Sequence, residues 1–379
     1  MRQETEGVTL TGIIVYCMFT TLTVLPFVFF PDTKIKAIRP VANPKVLTNV
    51  AWFSFAYFLI FLFLSASSIV GVLTGDIKDL RSAVYAGEAE DTWMTGLPPV
   101  IQVPVRIINS VYGSPWILQF LAFFAIIIQK LPSKYFYMLI AASLMGPIRG
   151  IIGVDRSSTA YWLISFFACY VFFRRWMGGS QKGKIRRFAF FIVSILAVYL
   201  GINTIARFEG NEYSRQVGGT EGGLITYLGQ PVVYFANYWE HYESPYQTLQ
   251  LIFPFIHKFI LVTPNSSSTV ALQNYLSWLT GHNIGVFYSF FGHVFLTAGK
   301  LAAIIFCCIY SIVSFLTAST LKRIVRLDTA FVYLFLSSVM FLGVFTHYYA
   351  AASRTMSVIV FYIIIKYMIS KSTNKSLTI

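Results

Sequence analysis

The sequence predicts an all-α polytopic membrane protein with about nine transmembrane helices, the N-terminus outside and the C-terminus inside. Three observations lead to this fold class. Of the 379 residues, 56% are hydrophobic and 12% are charged, whereas a soluble domain carries about 25% charged residues. The hydrophobic residues form continuous runs, and the basic residues concentrate in alternate connections between those runs. These features exclude a soluble enzyme and a disordered chain.

Nine apolar runs approach or exceed the length that crosses a bilayer, which is about 20 helical residues. In chain order they are Val8–Phe30, Leu47–Leu73, Tyr112–Ile128, Tyr135–Ile148, Ser157–Phe173, Phe188–Ile205, Leu301–Ser319, Thr329–Thr346 and Met356–Ser370. The runs do not alternate with polar residues as the strands of a membrane barrel would, so they are predicted to be helices.

The basic residues orient these runs. Of the 29 lysines and arginines, 18 fall in or beside one alternate set of connections, with Asp32 and Asp328 as the two acidic residues there. The set comprises 31–46, 129–134, 174–187, 320–328 and the tail from Lys371. An excess of positive charge marks the cytoplasmic side. Topology thus explains the net charge of +14, and no basic patch predicts nucleic-acid binding.

We predict a single integral membrane domain over residues 1–379, with one long extracytoplasmic loop at 206–300, between the sixth and seventh runs. The loop is rich in aromatic residues, which predicts that it folds onto the membrane domain. The segments Thr248–Leu261 and Leu272–Thr280 are predicted to be amphipathic helices at the membrane surface, with a turn at 263–268 between them.

The titratable residues that suit chemistry lie on the predicted extracytoplasmic side. They are the five histidines (His241, His257, His282, His293 and His347), Arg149, Arg156 and Arg354 at the ends of runs, and the glycine-rich segment that contains Arg207, Glu212, Arg215 and Glu221. Several arginines could converge on one diphosphate, because guanidinium groups bind oxyanions through two hydrogen bonds. The alternatives are arginines that reach lipid phosphates and a solvated glycine-rich loop.

Motifs for nucleotides and metals are absent from the sequence. It contains no P-loop, no G-x-G-x-x-G after a strand, no H-E-x-x-H and no C-x-x-C pair. The four cysteines lie within apolar runs, where neither a disulfide nor a zinc site is expected. We therefore predict no cofactor and no metal.

Three stretches, together with the overall arrangement, resemble the bacterial oligosaccharide repeat-unit polymerases, the O-antigen polymerases of the Wzy type. The stretches are Asp155-Arg156-Ser157-Ser158, the loop from Arg207 through Tyr227-Leu-Gly-Gln-Pro231, and the glycine- and aromatic-rich segment Gly281–Gly299. Ten residues separate Arg207 from Gly218, as in the R-x10-G pattern of such loops. Where a usual member of the family carries an acidic residue before the last glycine, this chain has Leu296 and Thr297.

The resemblance implies a metal-independent glycosyltransferase that needs no nucleotide sugar. Its substrates would be oligosaccharides linked to undecaprenyl diphosphate, met at the periplasmic face of the bacterial inner membrane. The growing chain would leave its lipid diphosphate and join a hydroxyl of the next unit, in the biosynthesis of lipopolysaccharide or another surface polysaccharide. A Wzz-type chain-length regulator and the flippase of the same pathway are the partners that the family implies, together with membrane lipid.

Residue chemistry and this resemblance together give the candidate site. The predicted catalytic residues are Arg207, Arg215, His282, Glu221, Glu212 and His347, and the order among the possible bases stays open. The predicted diphosphate-binding residues are Arg156, Arg207, Arg215 and Arg354. Sugar rings would stack on Tyr227, Tyr238 and Trp239, for which packing within the loop is the alternative.

Three other functions remain open at this point. An O-antigen ligase shares the plan and differs in its acceptor. A flippase or transporter of the same lipid-linked sugar is disfavoured, because few charges lie deep in the runs. A membrane acyltransferase could use His347 alone, but the long loop favours an enzyme that acts on glycans.

Overall fold

The computed structural model describes residues 8–74, 98–153, 157–208, 219–242, 277–278, 289–343 and 347–373. This part of the chain is mostly helical. Its helices are α1 (Leu10–Phe29), α2 (Pro44–Thr74), α3 (Pro99–Val111), α4 (Pro115–Phe123), α5 (Ser133–Ser143), α6 (Met145–Ile152), α7 (Ser157–Phe173), α8 (Gly179–Phe208), α9 (Gly219–His241), α10 (Phe290–Ser319), α11 (Leu327–Phe341) and α12 (Ala352–Thr373).

Shorter elements complete this framework. A π-helical turn, Phe124–Ile128, continues α4, and 3-10 turns lie at Asp32–Lys34, Arg174–Trp176 and Tyr348–Ala350. Two short strands, β1 (Ala37–Ile38) and β2 (Ile324–Val325), pair in parallel, with Ala37 opposite Ile324.

Five of the described helical segments are long and apolar enough to cross a membrane: α1, α2, α5 together with α6, α10 and α12. A sixth arises if α3 and the extended α4, which meet at a bend of 56°, form one span. The predicted α-helical membrane protein is confirmed at this level. The number of nine spans and their orientation stay predictions.

The described helices differ from the predicted runs around the long loop. Helix α10 begins at Phe290, whereas the seventh run was predicted to begin at Leu301. Helix α9 begins at Gly219, inside the glycine-rich segment. The predicted helix Thr248–Leu261 and the turn at 263–268 lie outside the described residues, and of Leu272–Thr280 only 277–278 are described, as helix.

The chain divides into two compact units. The first comprises residues 1–34, 202–322 and 332–352, and its core lies where α1 packs against α9 and α10. Rings of Phe19, Phe235, Trp239 and Phe295 fill this contact, with centroids 5.0–6.1 Å apart. Such rings bury a large apolar area and favour edge-to-face and offset contacts, so they hold the three helices together.

The second unit comprises residues 35–201, 323–331 and 353–379, with α4 in its core. Every residue from Trp116 to Phe123 is buried, as expected of a helix that is apolar on all sides. The buried amide of Gln119 donates to the carbonyl of Trp162 (3.2 Å) and accepts from the hydroxyl of Ser165 (2.7 Å). This polar side chain is therefore satisfied by α7, which fixes how α4 and α7 pack.

Candidate functional site

The structure describes four of the predicted site side chains: His347, Arg354, Tyr238 and Trp239. Three others are described by their backbone alone, Arg207 in the last turn of α8 and Glu221 and Tyr227 in α9. Arg156, Glu212, Arg215 and His282 lie outside the described residues. The roles of these seven residues stay predictions.

His347 lies beside a second histidine within the first unit. The ring of His293, in the first turns of α10, has its centroid 6.0 Å from that of His347, which precedes the 3-10 turn at Tyr348. Both side chains are buried, since His293 is 4% exposed and His347 is 7% exposed. The two imidazoles thus form a buried pair, which we call the histidine pair.

Aromatic rings surround the histidine pair. Phe306 and Tyr349 have centroids 6.3 Å and 6.5 Å from that of His347. The hydroxyl of Tyr349 is fixed by a hydrogen bond with Ser338 Oγ of α11 (2.5 Å). An imidazole can accept a proton at one ring nitrogen and donate one from the other. Each imidazole of the histidine pair therefore carries the two ring nitrogens that a proton relay needs.

A break in α10 determines where His293 lies. All residues from Phe290 to Thr297 are buried, whereas Leu301 beyond the break is 70% exposed. Between them Gly299 has φ 87° and ψ 176°, a backbone conformation that is essentially restricted to glycine. The break lets the first turns of α10 enter the protein while the remainder keeps an apolar outer face.

Contacts between α10 and the segment before His347 bring the pair together. The amide of Phe290 donates to the carbonyl of Gly343 (2.8 Å), and the hydroxyl of Tyr310 donates to the carbonyl of Leu336 (2.7 Å). A Cβ on Gly343 would lie 2.9 Å from Phe290 Cβ, so glycine permits this approach. The two histidines, 54 positions apart in sequence, are thereby held on neighbouring elements.

Leu296 and Thr297 occupy the place where the family usually has an acidic residue. Both are 1% exposed. The hydroxyl of Thr297 donates to the carbonyl of His293 (2.9 Å), and the carbonyl of Leu296 accepts from the hydroxyl of Tyr242 (2.8 Å). Burial raises the pKa of Tyr242 to about 12, which keeps this donor protonated. Leu296 and Thr297 therefore help to stabilise the first turns of α10, and neither supplies a carboxylate.

The predicted sugar-binding residues Tyr238 and Trp239 are 7% and 8% exposed. Trp239 stacks on Phe235 (5.3 Å between centroids) and also packs on Phe295 (5.0 Å). The ammonium of Lys300 lies 5.8 Å from the Trp239 ring. Most of the aromatic surface is thus used for packing, and binding of sugar rings by these residues stays a prediction.

Arg354 belongs to the second unit and lies at the start of α12. Its guanidinium carbon is 5.4 Å from the ring centroid of Tyr161, and the hydroxyl of Ser114 donates to its carbonyl (3.0 Å). Within the same unit, Arg149 Nη2 donates to Asn109 Oδ1 (2.5 Å), which also accepts from the Tyr57 hydroxyl (2.7 Å). Both predicted end-of-run arginines with described side chains are therefore positioned by neighbouring groups.

Sequence reasoning gave no specific role to His293, although it placed this residue on the same side as the other histidines. The available signal was its context, because a histidine within the apolar stretch Phe290–Leu296 is costly to bury unless it is used. Within the described residues, no group of three or more His, Cys, Asp or Glu side chains is arranged to hold a metal ion.

No protein-family model, no curated protein and no solved structure matches this chain.

Proposed function

We propose that the protein is a metal-independent glycosyltransferase of the bacterial inner membrane that polymerises undecaprenyl-diphosphate-linked oligosaccharide repeat units at the periplasmic face. The observation that carries the proposal is the histidine pair, with centroids 6.0 Å apart among aromatic rings. The charge pattern predicts that both histidines lie on the extracytoplasmic side. The resemblance of the three sequence stretches to O-antigen polymerases supports the same reaction.

The reaction needs a group that accepts a proton. A sugar hydroxyl of one repeat unit attacks the anomeric carbon of the growing glycan. The bond from that carbon to the lipid diphosphate breaks, a glycosidic bond forms, and the hydroxyl proton passes to His347. A positioned base of this kind contributes about 10²–10⁴-fold to the rate. His293 lies beside His347 and would orient it or take the proton onward, while His282, Glu212 and Glu221 remain alternative bases.

The reaction also needs cations for the leaving group, because negative charge develops on the diphosphate as it departs. Arg156, Arg207, Arg215 and Arg354 are proposed to bind it, since guanidinium groups stabilise such charge without a metal. Tyr227, Tyr238 and Trp239 are proposed to contact sugar. Proteins that the pathway supplies, a flippase and a chain-length regulator, would act beside this enzyme.

Deletion of the gene in the source bacterium, followed by gel electrophoresis of the surface polysaccharide, tests the reaction itself. If the protein is a polymerase, the ladder of long chains should disappear while a single repeat unit remains on the lipid core. Bare core with polymer accumulating on undecaprenyl diphosphate would instead indicate the ligase. Loss of all external glycan, with lipid-linked units trapped inside, would indicate a flippase and overturn the catalytic proposal.

Complementation with histidine variants tests the site. We expect His347→Ala to lower polymer formation by about 10²–10⁴-fold and His293→Ala to lower it clearly as well. His241→Ala is the matched control, because His241 is exposed and contacts the carbonyl of Asn237 within its own helix (3.0 Å). Each variant must be present in the membrane at wild-type amount. A normal ladder with His347→Ala and His293→Ala would exclude the histidine pair as the site.

A further inference from the structure

A second site is suggested by a cavity of about 610 Å³ in the second unit, remote in sequence from the histidine pair. The cavity lies between the π-helical end of α4, the start of α5 and the start of α8. Lys130 and Lys184 line it, and its lining residues include no acidic side chain. The cavity therefore carries two positive charges, on residues that the sequence predicts to be cytoplasmic.

The backbone at the cavity places Lys130 in an unusual conformation. Lys130 has φ 54°. Among the described residues, it is the one residue other than glycine whose backbone has a positive φ of this kind. This left-handed conformation costs about 1–2 kcal/mol in a residue with a side chain, and glycine would adopt it more readily. The amide of the next residue, Leu131, is fixed on the carbonyl of Ala125 (2.9 Å). This hydrogen bond holds the turn that contains Lys130.

The other walls combine aromatic, amide and apolar groups. The indole of Trp176 donates to the carbonyl of Lys36 (2.7 Å), which fixes this wall. Gln181 donates to the carbonyl of Ile126 (3.4 Å) and accepts from the amide of Gly178 (3.3 Å), which fixes the start of α8. Tyr137 also lines the cavity. Trp and Tyr are enriched at the level of lipid headgroups, and the mixed lining suits a ligand with both polar and apolar parts.

We propose that this cavity binds the phosphate-bearing headgroup of an anionic phospholipid of the cytoplasmic leaflet. Two lysines supply the charge, since ammonium groups bind phosphate as point charges. Basic pockets between membrane helices on the cytoplasmic side are suited to anionic lipid headgroups. The volume lies within the range of about 300–1,000 Å³ that is typical of ligand pockets. This proposal does not depend on the proposed polymerase function.

Native mass spectrometry of the full-length detergent-purified protein tests the proposal by titration with phosphatidylglycerol and, separately, with phosphatidylcholine. We expect the wild type to bind phosphatidylglycerol in preference to phosphatidylcholine. The double variant Lys130→Gln with Lys184→Gln should weaken that binding by about tenfold or more. The double variant Lys130→Arg with Lys184→Arg, which keeps both positive charges, should bind phosphatidylglycerol as the wild type does. The matched control is Lys134→Gln with Lys182→Gln, which removes the same charge from nearby positions that do not line the cavity: Lys134 lies in the first turn of α5, four residues after Lys130, and Lys182 shares α8 with Lys184.

The control decides between a built site and general attraction to a basic surface. Unchanged binding by the control pair, with weakened binding by the cavity pair, supports the proposal. Equal weakening by both pairs, or no weakening by the cavity pair, overturns it. Inorganic phosphate is the remaining probe of the ligand: displacement of phosphatidylglycerol by phosphate alone at similar concentration would make soluble phosphate the ligand and overturn the lipid assignment.

Discussion

The carboxylate of Asp328 joins two cations of the second unit. Its Oδ2 lies 2.6 Å from Lys366 Nζ of α12 and 3.1 Å from Arg326 Nη2. Burial by itself would raise the pKa of Asp328, but the hydrogen bond and charge of Lys366, with the charge of Arg326, hold that pKa below its usual value. Asp328 also lies in the first turn of α11, where a negative charge is favourable.

We expect Asp328→Asn to lower the free energy of unfolding by about 1–2 kcal/mol. The loss is smaller than for a fully buried pair, because the side chains of Arg326 and Lys366 are 53% and 47% exposed and water screens them. Thermal unfolding in one detergent measures it, with exposed Glu240→Gln as the control for charge. Lys366→Gln should cost less in the Asp328→Asn background than in the wild type. Equal losses for Asp328→Asn and Glu240→Gln would contradict the assignment.

The same residue gives a dependence on pH. Because the pKa of Asp328 is lower in the folded protein than in the unfolded chain, its stabilisation is complete above about pH 4, the usual pKa of Asp. It is lost as the pH falls through the folded-state pKa. The Asp328→Asn variant lacks this contribution, so its stability should fall less steeply than that of the wild type below pH 4.

Sequence reasoning at this scale predicts which residue types are candidates, but it does not predict which of them are in contact. His347 is a candidate because it is a histidine on the predicted outer side, and the sequence alone suffices for that inference. Its neighbour His293 is 54 positions earlier, and their proximity depends on the Phe290–Gly343 contact and the break at Gly299. Such long-range packing leaves no periodic signal in the sequence. Likewise, the burial of Trp239 depends in part on Phe19 of α1, more than 200 residues away in sequence.

At the scale of elements, α1 and α9 approach each other closely through a glycine. A Cβ on Gly12 would lie 2.5 Å from the Cα of Ala236, closer than real side chains approach. The contact involves backbone atoms on both sides, so it cannot be relieved by turning a side chain. Small residues allow helices in membranes to pack at short distance, and Gly12 serves that role here.

We expect Gly12→Ala to lower the free energy of unfolding by about 1–3 kcal/mol, the usual cost of overpacking a tight contact. Gly71→Ala is the matched control, since Gly71 also lies within a membrane helix and a Cβ there would meet nothing within 4 Å. The control should be neutral or stabilising by up to about 1 kcal/mol, because alanine favours helix. Thermal unfolding of the two variants side by side gives the answer. Similar midpoints would mean that α1 and α9 do not pack this closely.

The elements that sequence analysis missed are those without a long apolar run. Helix α3 lies within a predicted connection, and its apolar residues Val100, Val103 and Ile107 form one face that is exposed in the structure. Pro104 lies inside this helix of 13 residues and weakens the helical signal, whereas Pro99 is its first residue, where proline is tolerated. In α9 the glycines at 219, 222 and 223 predicted a loop, and packing against α1 overrides their weak preference for helix.

At the scale of the whole molecule, composition and run length predicted the helical membrane fold because a bilayer requires every backbone polar group to be paired within a helix. Runs that correspond to α1, α2, α10 and α12 are also long and apolar in the structure. Bends and breaks within spans are harder to predict, as at the 56° bend between α3 and α4, because they depend on packing and not on hydropathy.

The orientation of the chain can be measured by labelling single cysteines. In a variant with the four native cysteines replaced by serine, we expect His241→Cys to react with a membrane-impermeant maleimide in intact cells. Lys182→Cys should react only after the membrane is opened, because the positive residues of 174–187 predict that this segment is cytoplasmic. Both positions are exposed on the surface, so burial does not explain a difference. Labelling of Lys182→Cys in intact cells would show that the predicted orientation is the wrong way round. The histidine pair would then lie on the cytoplasmic side, away from the periplasmic substrates that the proposed polymerase requires.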